Sequence, residues 1–383
     1  MTTNSSSRES REGRRRIPTL DVGASYRELK EELDQAYRRV MDGGWYVLGE
    51  ELEAFEDEFA AFCEAEQCVG VANGLEALFL ILRGYGIGTG DEVVVPANTF
   101  IATWLAVSHT GARPVPVEPE EQTFNLDPGR IAAAVTSRTK AIIAVHLYGQ
   151  PARMDEIGEV ASRRGLRVIE DAAQAHGARW NGKRAGALAE AAAFSFYHAK
   201  NMGAYGDGGA VVSNDRRLIE RIRALRNYGG SKYEHEVCGY NSRLDPMQAA
   251  FLRVRLRRLE EWNARRSAIA RAYRDGLSGA GRCLLPDVAV GAEHVWHLYV
   301  IRHPERDRLR RALDSMGIET GIHYPTPPHL SGAYATEGWR RGDFPVTERL
   351  ANTVLSLPMG PHLGREDAQR GIEAVISAEA GID

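Results

Sequence analysis

Cysteine is scarce: the 383-residue chain has four, Cys63, Cys68, Cys238 and Cys283. Cys63 and Cys68 have no second close pair and no histidine beside them, so neither a metal site nor a disulfide framework is expected. Reduced, partly buried thiols in a cytoplasmic protein are the expectation instead. Long apolar runs are missing, and no segment nears the roughly 20 residues that span a bilayer. Arg14-Arg15-Arg16 is followed by the short, polar Ile17-Pro18-Thr19-Leu20-Asp21, not by the apolar stretch of a leader. Neither charge is in excess, with 48 Lys and Arg against 52 Asp and Glu, so nucleic acid and membrane surfaces are not expected partners. Internal repeats are absent. Only the stretch from Thr2 to Arg16 is of low complexity, and its Ser, Arg and Glu predict a disordered tail over residues 1–16.

What remains has an ordinary globular composition, 43% hydrophobic and 26% charged, in a chain long enough to bury a large core. Ser25 to Gly43 and Glu50 to Glu66 have helical apolar spacing, with Gly43-Gly44 as a stop between them. Strands and helices then alternate. Strands are expected at Cys68–Ala72, Glu92–Val95, Pro114–Val117, Ala141–His146 and Leu166–Asp171. Helices fall between them at Leu75–Gly84, Ile101–Thr110, Arg130–Thr136 and Asp155–Gly165. That alternation predicts an α/β fold, a mostly parallel sheet covered by helices on both faces. Phe194–Phe196 and Ala210–Ser213 add two further strands. A long helix from Met247 to Arg274, a strand His297–Ile301 and a helix Arg306–Met316 predict a smaller C-terminal α/β domain. The chain thus divides into the tail, a large domain over 17–244, and a long helix with the small domain over 245–383.

The chemistry concentrates around Lys200. The apolar strand ending at Phe196 runs into Tyr197-His198-Ala199-Lys200-Asn201-Met202-Gly203-Ala204-Tyr205-Gly206-Asp207-Gly208-Gly209. So many glycines let backbone approach a ligand closely. Asp171 ends the strand Leu166–Asp171 and is followed by Ala172-Ala173-Gln174-Ala175-His176-Gly177. Singly, such a lysine is a solvated loop residue and such an aspartate a helix cap. Together they are what pyridoxal phosphate needs: an amine for a Schiff base and an acid to hold the pyridinium proton. Gln174 can bond the ring's 3-hydroxyl, Ala173 is small enough to lie against one ring face, and Phe100 stands at another strand end for the opposite face. Val71-Ala72-Asn73-Gly74-Leu75 is a strand, a glycine turn and a helix start, where the amides of Gly74 and Leu75 suit a phosphate. The hydroxyl of Ser195 can join them.

These segments, with Pro96 to Phe100 and Gly239-Tyr240-Asn241-Ser242-Arg243-Leu244-Asp245, resemble the DegT/StrS family of pyridoxal-phosphate-dependent nucleotide-sugar aminotransferases. The resemblance runs from about Pro18 to about Ile376 and implies the type I, aspartate-aminotransferase-like fold. It implies that Lys200 holds the cofactor and moves protons, that Asp171 and Gln174 contact the ring, and that Ser195 and the Gly74 turn hold the phosphate. Asn241 would reach the cofactor phosphate of a second subunit, which implies a homodimer with shared active sites. L-glutamate would give its amino group to a keto-sugar. Thr99 to Ser108 and Pro114 to Pro119 are similar to relatives that aminate C3 of dTDP-linked 6-deoxy sugars for antibiotics or surface glycans. Gly321-Ile322-His323-Tyr324-Pro325 resembles the sugar-facing loop, making His323, Tyr324 and Tyr197 substrate-binding candidates. Amination at C4, a sugar dehydratase and a non-catalytic regulatory relative stand as alternatives. Lys200 argues against the dehydratase, in which histidine takes that position.

Overall fold

Alternate residues of the central strands feed two different cores, which is why these strands read as nearly continuous apolar runs. The computed structural model describes residues 15–231 and 233–382. Its sheet contains β1 (Gln67–Val71), β2 (Glu92–Pro96), β3 (Arg113–Val117), β4 (Thr139–Val145) and β5 (Arg167–Asp171). A small hairpin follows, β6 (Arg179–Trp180) with β7 (Lys183–Arg184), and then β8 (Ala191–Ser195) and β9 (Gly209–Ser213) complete the sheet. The order is β1-β9-β8-β5-β4-β2-β3. Only β9 runs against its neighbours, pairing antiparallel with β1 and β8, so the sheet is mostly parallel as expected.

Val93, Val95, Ile143, Ile169, Ala193 and Val211 face one core, shared with α3 (below), while Val94, Ile142, Ala144 and Val168 face another. That two-residue alternation with burial on both sides requires helices on both faces. They include α2 (Glu50–Phe62), α3 (Gly74–Gly84), α4 (Ala102–His109), α5 (Pro128–Ala134), α6 (Met154–Arg164) and α7 (Arg216–Leu225), while α1 (Ala24–Gly43) comes before them and packs on a later helix. Phe194 of β8 and Phe196 just beyond it both point at Phe59 of α2, edge-on at 5.0 and 5.3 Å between centroids. Each such pair adds about 0.5–1.5 kcal/mol beyond its buried area. Because strand side chains alternate, this anchoring turns Ser195 to the opposite face.

Two departures from expectation stand out. The helix expected to run to Glu66 stops at Phe62, because Glu64 takes a left-handed φ of 60° and β1 begins at Gln67. The long helix expected over Met247–Arg274 is two, α8 (Pro246–Leu256) and α9 (Leu259–Leu277). No glycine or proline marks that break. Arg255 and Arg258, on either side of it, are held by partners far away in sequence: Arg255 by Gly203 O and Ser25 Oγ, Arg258 by Glu32. Ala250 and Val254 of α8 pack with Leu29, Leu33 and Val40 of α1, whereas α9 turns toward the C-terminal core.

A hairpin of β10 (Gly230–Ser231) and β11 (Glu234–His235) lies apart from the main sheet, and β12 (Ala292–Glu293) pairs with β6. The C-terminal core joins α9 to β13 (Tyr299–Arg302), α10 (Arg306–Ser315), β14 (Val354–Leu357) and α12 (Arg365–Ala380), with α11 (Pro345–Thr353) leading into β14. Strand β14, antiparallel to β13, had no sequence-level expectation. Ile17 is buried in the same core and bridges Ile318, so the N-terminal segment is tied to this end of the chain. Residues 1–14 of the expected tail lie outside the described residues, while Arg16 bonds Asp314 at 2.5 Å. Cys63 and Cys68 are buried and Cys283 half-buried, but Cys238 is exposed, unlike the buried thiols expected. Among the described residues no helix is long and apolar enough to cross a membrane.

Candidate active site

Asp171, Lys200, Gln174, Gly74 and Ser195 converge where β1, β5 and β8 meet the segments that follow or flank them. Asp171 is only 7% exposed at the end of β5. Its Oδ2 accepts from Thr103 Oγ1 at 2.8 Å and its Oδ1 from the Ala173 amide at 3.2 Å. Thr103 in turn accepts from Thr99 at 2.9 Å, since its own proton goes to Asp171. Burial pushes the Asp171 carboxyl up, against the lowering pull of Thr103, Ala173 and Lys200. The neighbouring Glu170, on the other face of β5, is wholly buried and accepts from the Gly186, Leu188 and Ala189 amides and from His146. Ala152 N donates to His146 Nδ1, so the ring's Nε2 carries the hydrogen given to Glu170. That web holds the end of β5 rigid behind Asp171.

Lys200 is half-buried, and its amine is desolvated. Desolvation lowers its pKa to about 8, while Asp171 acts to raise it. A larger share of the amine is therefore neutral near physiological pH than in an ordinary lysine.

At the start of α3, Asn73 Oδ1 caps the Glu76 amide at 2.9 Å. The amides of Gly74 and Leu75, the first two of the helix, have no acceptor among the described residues. A Cβ on Gly74 would lie 2.7 Å from Ser195 Cβ and 3.3 Å from its Oγ. Glycine thus opens a cradle between two backbone donors and a hydroxyl. Ser195 Oγ accepts from the Tyr197 amide at 3.3 Å, which leaves its proton free for a ligand.

Gln174 has one possible orientation. The Tyr148 amide donates to its Oε1 at 2.7 Å, so its Nε2 donates, one hydrogen going to Tyr324 Oη at 3.0 Å. The second hydrogen is available to an acceptor oxygen in the site. Tyr148 Oη donates to the His323 carbonyl, and His323 Nδ1 meets Ser356 Oγ at 2.8 Å, so the 321–325 loop is fixed from two sides. Burial pushes His323 down to about 4, hence neutral. Phe100 is half exposed and packs against Tyr324 at 5.2 Å. Tyr197 is also half exposed, beside His198. Asn241 is exposed, and its side chain meets none of these groups, although its backbone bridges Asn227.

These residues fit pyridoxal phosphate on their own chemistry. A buried carboxylate calls for a proton-bearing partner, the Gln174 amide offers a donor to a ring oxygen, and the Gly74 cradle offers donors to a phosphate. Sequence reasoning missed Thr103, Tyr148 and the His146–Glu170 pair. Only the four-residue spacing of Thr99 and Thr103 hinted at a shared helical face.

The sequence profile of the DegT/DnrJ/EryC1/StrS aminotransferase family matches residues 27–376. The chain is 56% identical to the dTDP-3-amino-3,4,6-trideoxy-alpha-D-glucose transaminase of Streptomyces venezuelae, over 96% of this chain and 97% of that one. It is 50% identical to the dTDP-3-amino-3,6-dideoxy-alpha-D-galactopyranose transaminase of Aneurinibacillus thermoaerophilus, over 94% and 98%. The crystal structure of S. venezuelae DesV in complex with a ketimine intermediate superposes with a TM-score of 0.94, covering 96% of this chain and 99% of that chain at 56% identity.

Proposed function

Because this chain belongs to the DegT/DnrJ/EryC1/StrS aminotransferase family, we propose that it transfers the amino group of L-glutamate to C3 of a dTDP-linked 6-deoxy keto-sugar. Pyridoxal phosphate is the family's cofactor. The observation that carries the reading is the enclosed Lys200 amine beside the buried Asp171 carboxylate, with a Gln174 donor held toward the same space. The C3 position rests on the likeness to the two dTDP-3-amino-sugar transaminases.

When bound, pyridoxal phosphate supplies an imine-forming carbonyl and an electron sink for the amino acid's α-carbon. The chain's own groups do the rest. Gly74, Leu75 and Ser195 would hold the phosphate through two amides and a hydroxyl. Asp171, oriented by Thr103 and the Ala173 amide, would keep the proton on the ring nitrogen. Gln174 would donate to the ring oxygen, and Ala173 and Phe100 would stand at the ring's faces. As base and then acid, the Lys200 amine would take up the proton that the α-carbon of glutamate loses and deliver the proton that C3 of the sugar gains. Tyr197, His323 and Tyr324 line the sugar's side. His323 is neutral there and can accept or donate a hydrogen bond without presenting a charge.

The direct test adds L-glutamate to the holoenzyme, then a dTDP-3-keto-6-deoxyhexose, and follows 2-oxoglutarate and the nucleotide sugar by NMR. One 2-oxoglutarate per sugar aminated at C3 is expected. Amination at C4 alone, or dehydration without 2-oxoglutarate, would overturn the reading.

The active form is a homodimer in which Asn241 serves the partner's site. Support comes from the exposed Asn241 side chain and from exposed Trp45, Tyr46 and Val47, a run of apolar surface suited to a second copy. Lys200→Ala and Asn241→Ala proteins should each be impaired. Mixed and allowed to exchange subunits, they should recover about a quarter of wild-type activity, because half the dimers are hybrids with one intact site. No recovery in exchanged dimers would place Asn241 in its own subunit's site or in none.

A further inference from the structure

Asn201, next to Lys200, has all its polar hydrogens assigned. It is 4% exposed, and its Nδ2 donates to Val295 O and to Asn263 Oδ1, each at 3.0 Å. Asn263 cannot be reversed, because its own Nδ2 donates to His176 O at 2.8 Å. Asn201 cannot be reversed either, because the Val295 carbonyl only accepts. Its Oδ1 is therefore an acceptor, and the ring nitrogen facing it at 3.2 Å, Nδ1 of His297, carries the hydrogen. His297 is 8% exposed.

We propose that His297, acting through Asn201, is a positioning residue that pins the turn bearing Lys200 to α9 and to the chain entering β13, so that the amine returns to one place each time it leaves the cofactor. The inference rests on the transaminase reading only in naming what Lys200 does. The pinning concerns this chain's own residues.

The chemistry explains why a histidine suits the position. A lysine that swings between cofactor and substrate needs a fixed backbone beneath it, because small misplacement of a proton-transfer group is costly. The Tyr197 carbonyl fixes one end of the turn through the Lys200 amide at 2.8 Å, and Asn201 fixes the other. The groups facing His297 are Lys200, Arg266, His323 and His176. Arg266 donates to the carbonyls of Trp296 and His297 at 3.1 and 3.3 Å. With two cations near it and burial around it, His297 is held well below its usual pKa and stays neutral. The pin therefore adds no positive charge beside the amine that must lose its proton.

Three variants test this: His297→Phe removes the donor, His297→Asn replaces Nδ1–H by an amide N–H at nearly the same reach, and Asn201→Ala removes the pin. Two readouts are used. The first is the pH dependence of Lys200 modification in cofactor-free protein, followed by mass spectrometry. The second is the glutamate half-reaction of the holoenzyme. Without the pin, in His297→Phe and Asn201→Ala, the turn can carry the amine out of its desolvated place, so the Lys200 midpoint should rise from about 8 toward the ordinary lysine value of 10.5. The half-reaction rate should fall roughly 10- to 100-fold with KM for glutamate little changed. His297→Asn should keep the wild-type midpoint and most of the rate. Thermal unfolding of each variant separates a folding defect from loss of position. A His297→Phe protein that melts lower but keeps both midpoint and rate would overturn the proposal. So would a His297→Asn protein damaged as badly as His297→Phe.

Discussion

Lys200→Ala loses transamination by at least about 10⁴-fold, the upper end of what a positioned acid-base group contributes, because the same amine also binds the cofactor. The fold should survive. Lys200 makes no side-chain hydrogen bond or ion pair among the described residues, and desolvation of its amine disfavours the charged form. Removing it relieves that desolvation cost, gives up the attraction to Asp171, and breaks no side-chain hydrogen bond. The variant should melt within a few degrees of wild type and still bind pyridoxal phosphate, because the Gly74 cradle and Asp171 remain. Borohydride treatment followed by denaturation should then release the cofactor from the variant and leave it attached to the wild-type protein. Rapid transamination by Lys200→Ala would remove the lysine from the mechanism.

Asp171→Asn is the second large effect, with a loss of about 10²–10³-fold, typical of removing one preorganised electrostatic partner of the reacting group. The asparagine oxygen can still accept from the Ala173 amide, and its Nδ2 can donate to Thr103 once that hydroxyl turns to donate to Thr99, so geometry is largely kept while the charge that holds the ring proton is gone. The sign of a second consequence follows from the same charge. Asp171 raises the Lys200 pKa against desolvation, so without it the amine should titrate below its value of about 8. In cofactor-free protein, the Lys200 modification midpoint should move down in Asp171→Asn and up in His297→Phe. Opposite shifts at one lysine would separate loss of a counter-charge from loss of burial. An unchanged midpoint in Asp171→Asn would show that the two groups do not interact.

Much of the site was legible because its parts lie on local patterns. The apolar strand before Asp171, the Asn73-Gly74 turn and the glycine-rich stretch after Lys200 each follow from strand, cap and backbone preferences that span only a few residues. The same locality explains the misses. The continuous helical pattern over Met247–Arg274 contains no breaker, and the break near Arg257 depends on Ser25, Glu32 and Gly203, far away in the chain. Likewise β14 is four residues long and is a strand because β13 lies beside it.

By itself, then, the sequence determined the alternating strands and helices, the two-faced burial of the sheet, and the set of Lys200, Asp171, Gln174, Ser195 and Gly74 as chemical groups. Those depend on residue type and on periods of two and 3.6 residues. Tertiary structure alone decided which way those groups point. Thr103 reaches Asp171 across 68 positions, Gln174 reaches Tyr324 across 150, and His297 reaches Asn201 across 96. A hydrogen bond acts over about 3 Å, and no local preference records which distant residue the fold will bring that close.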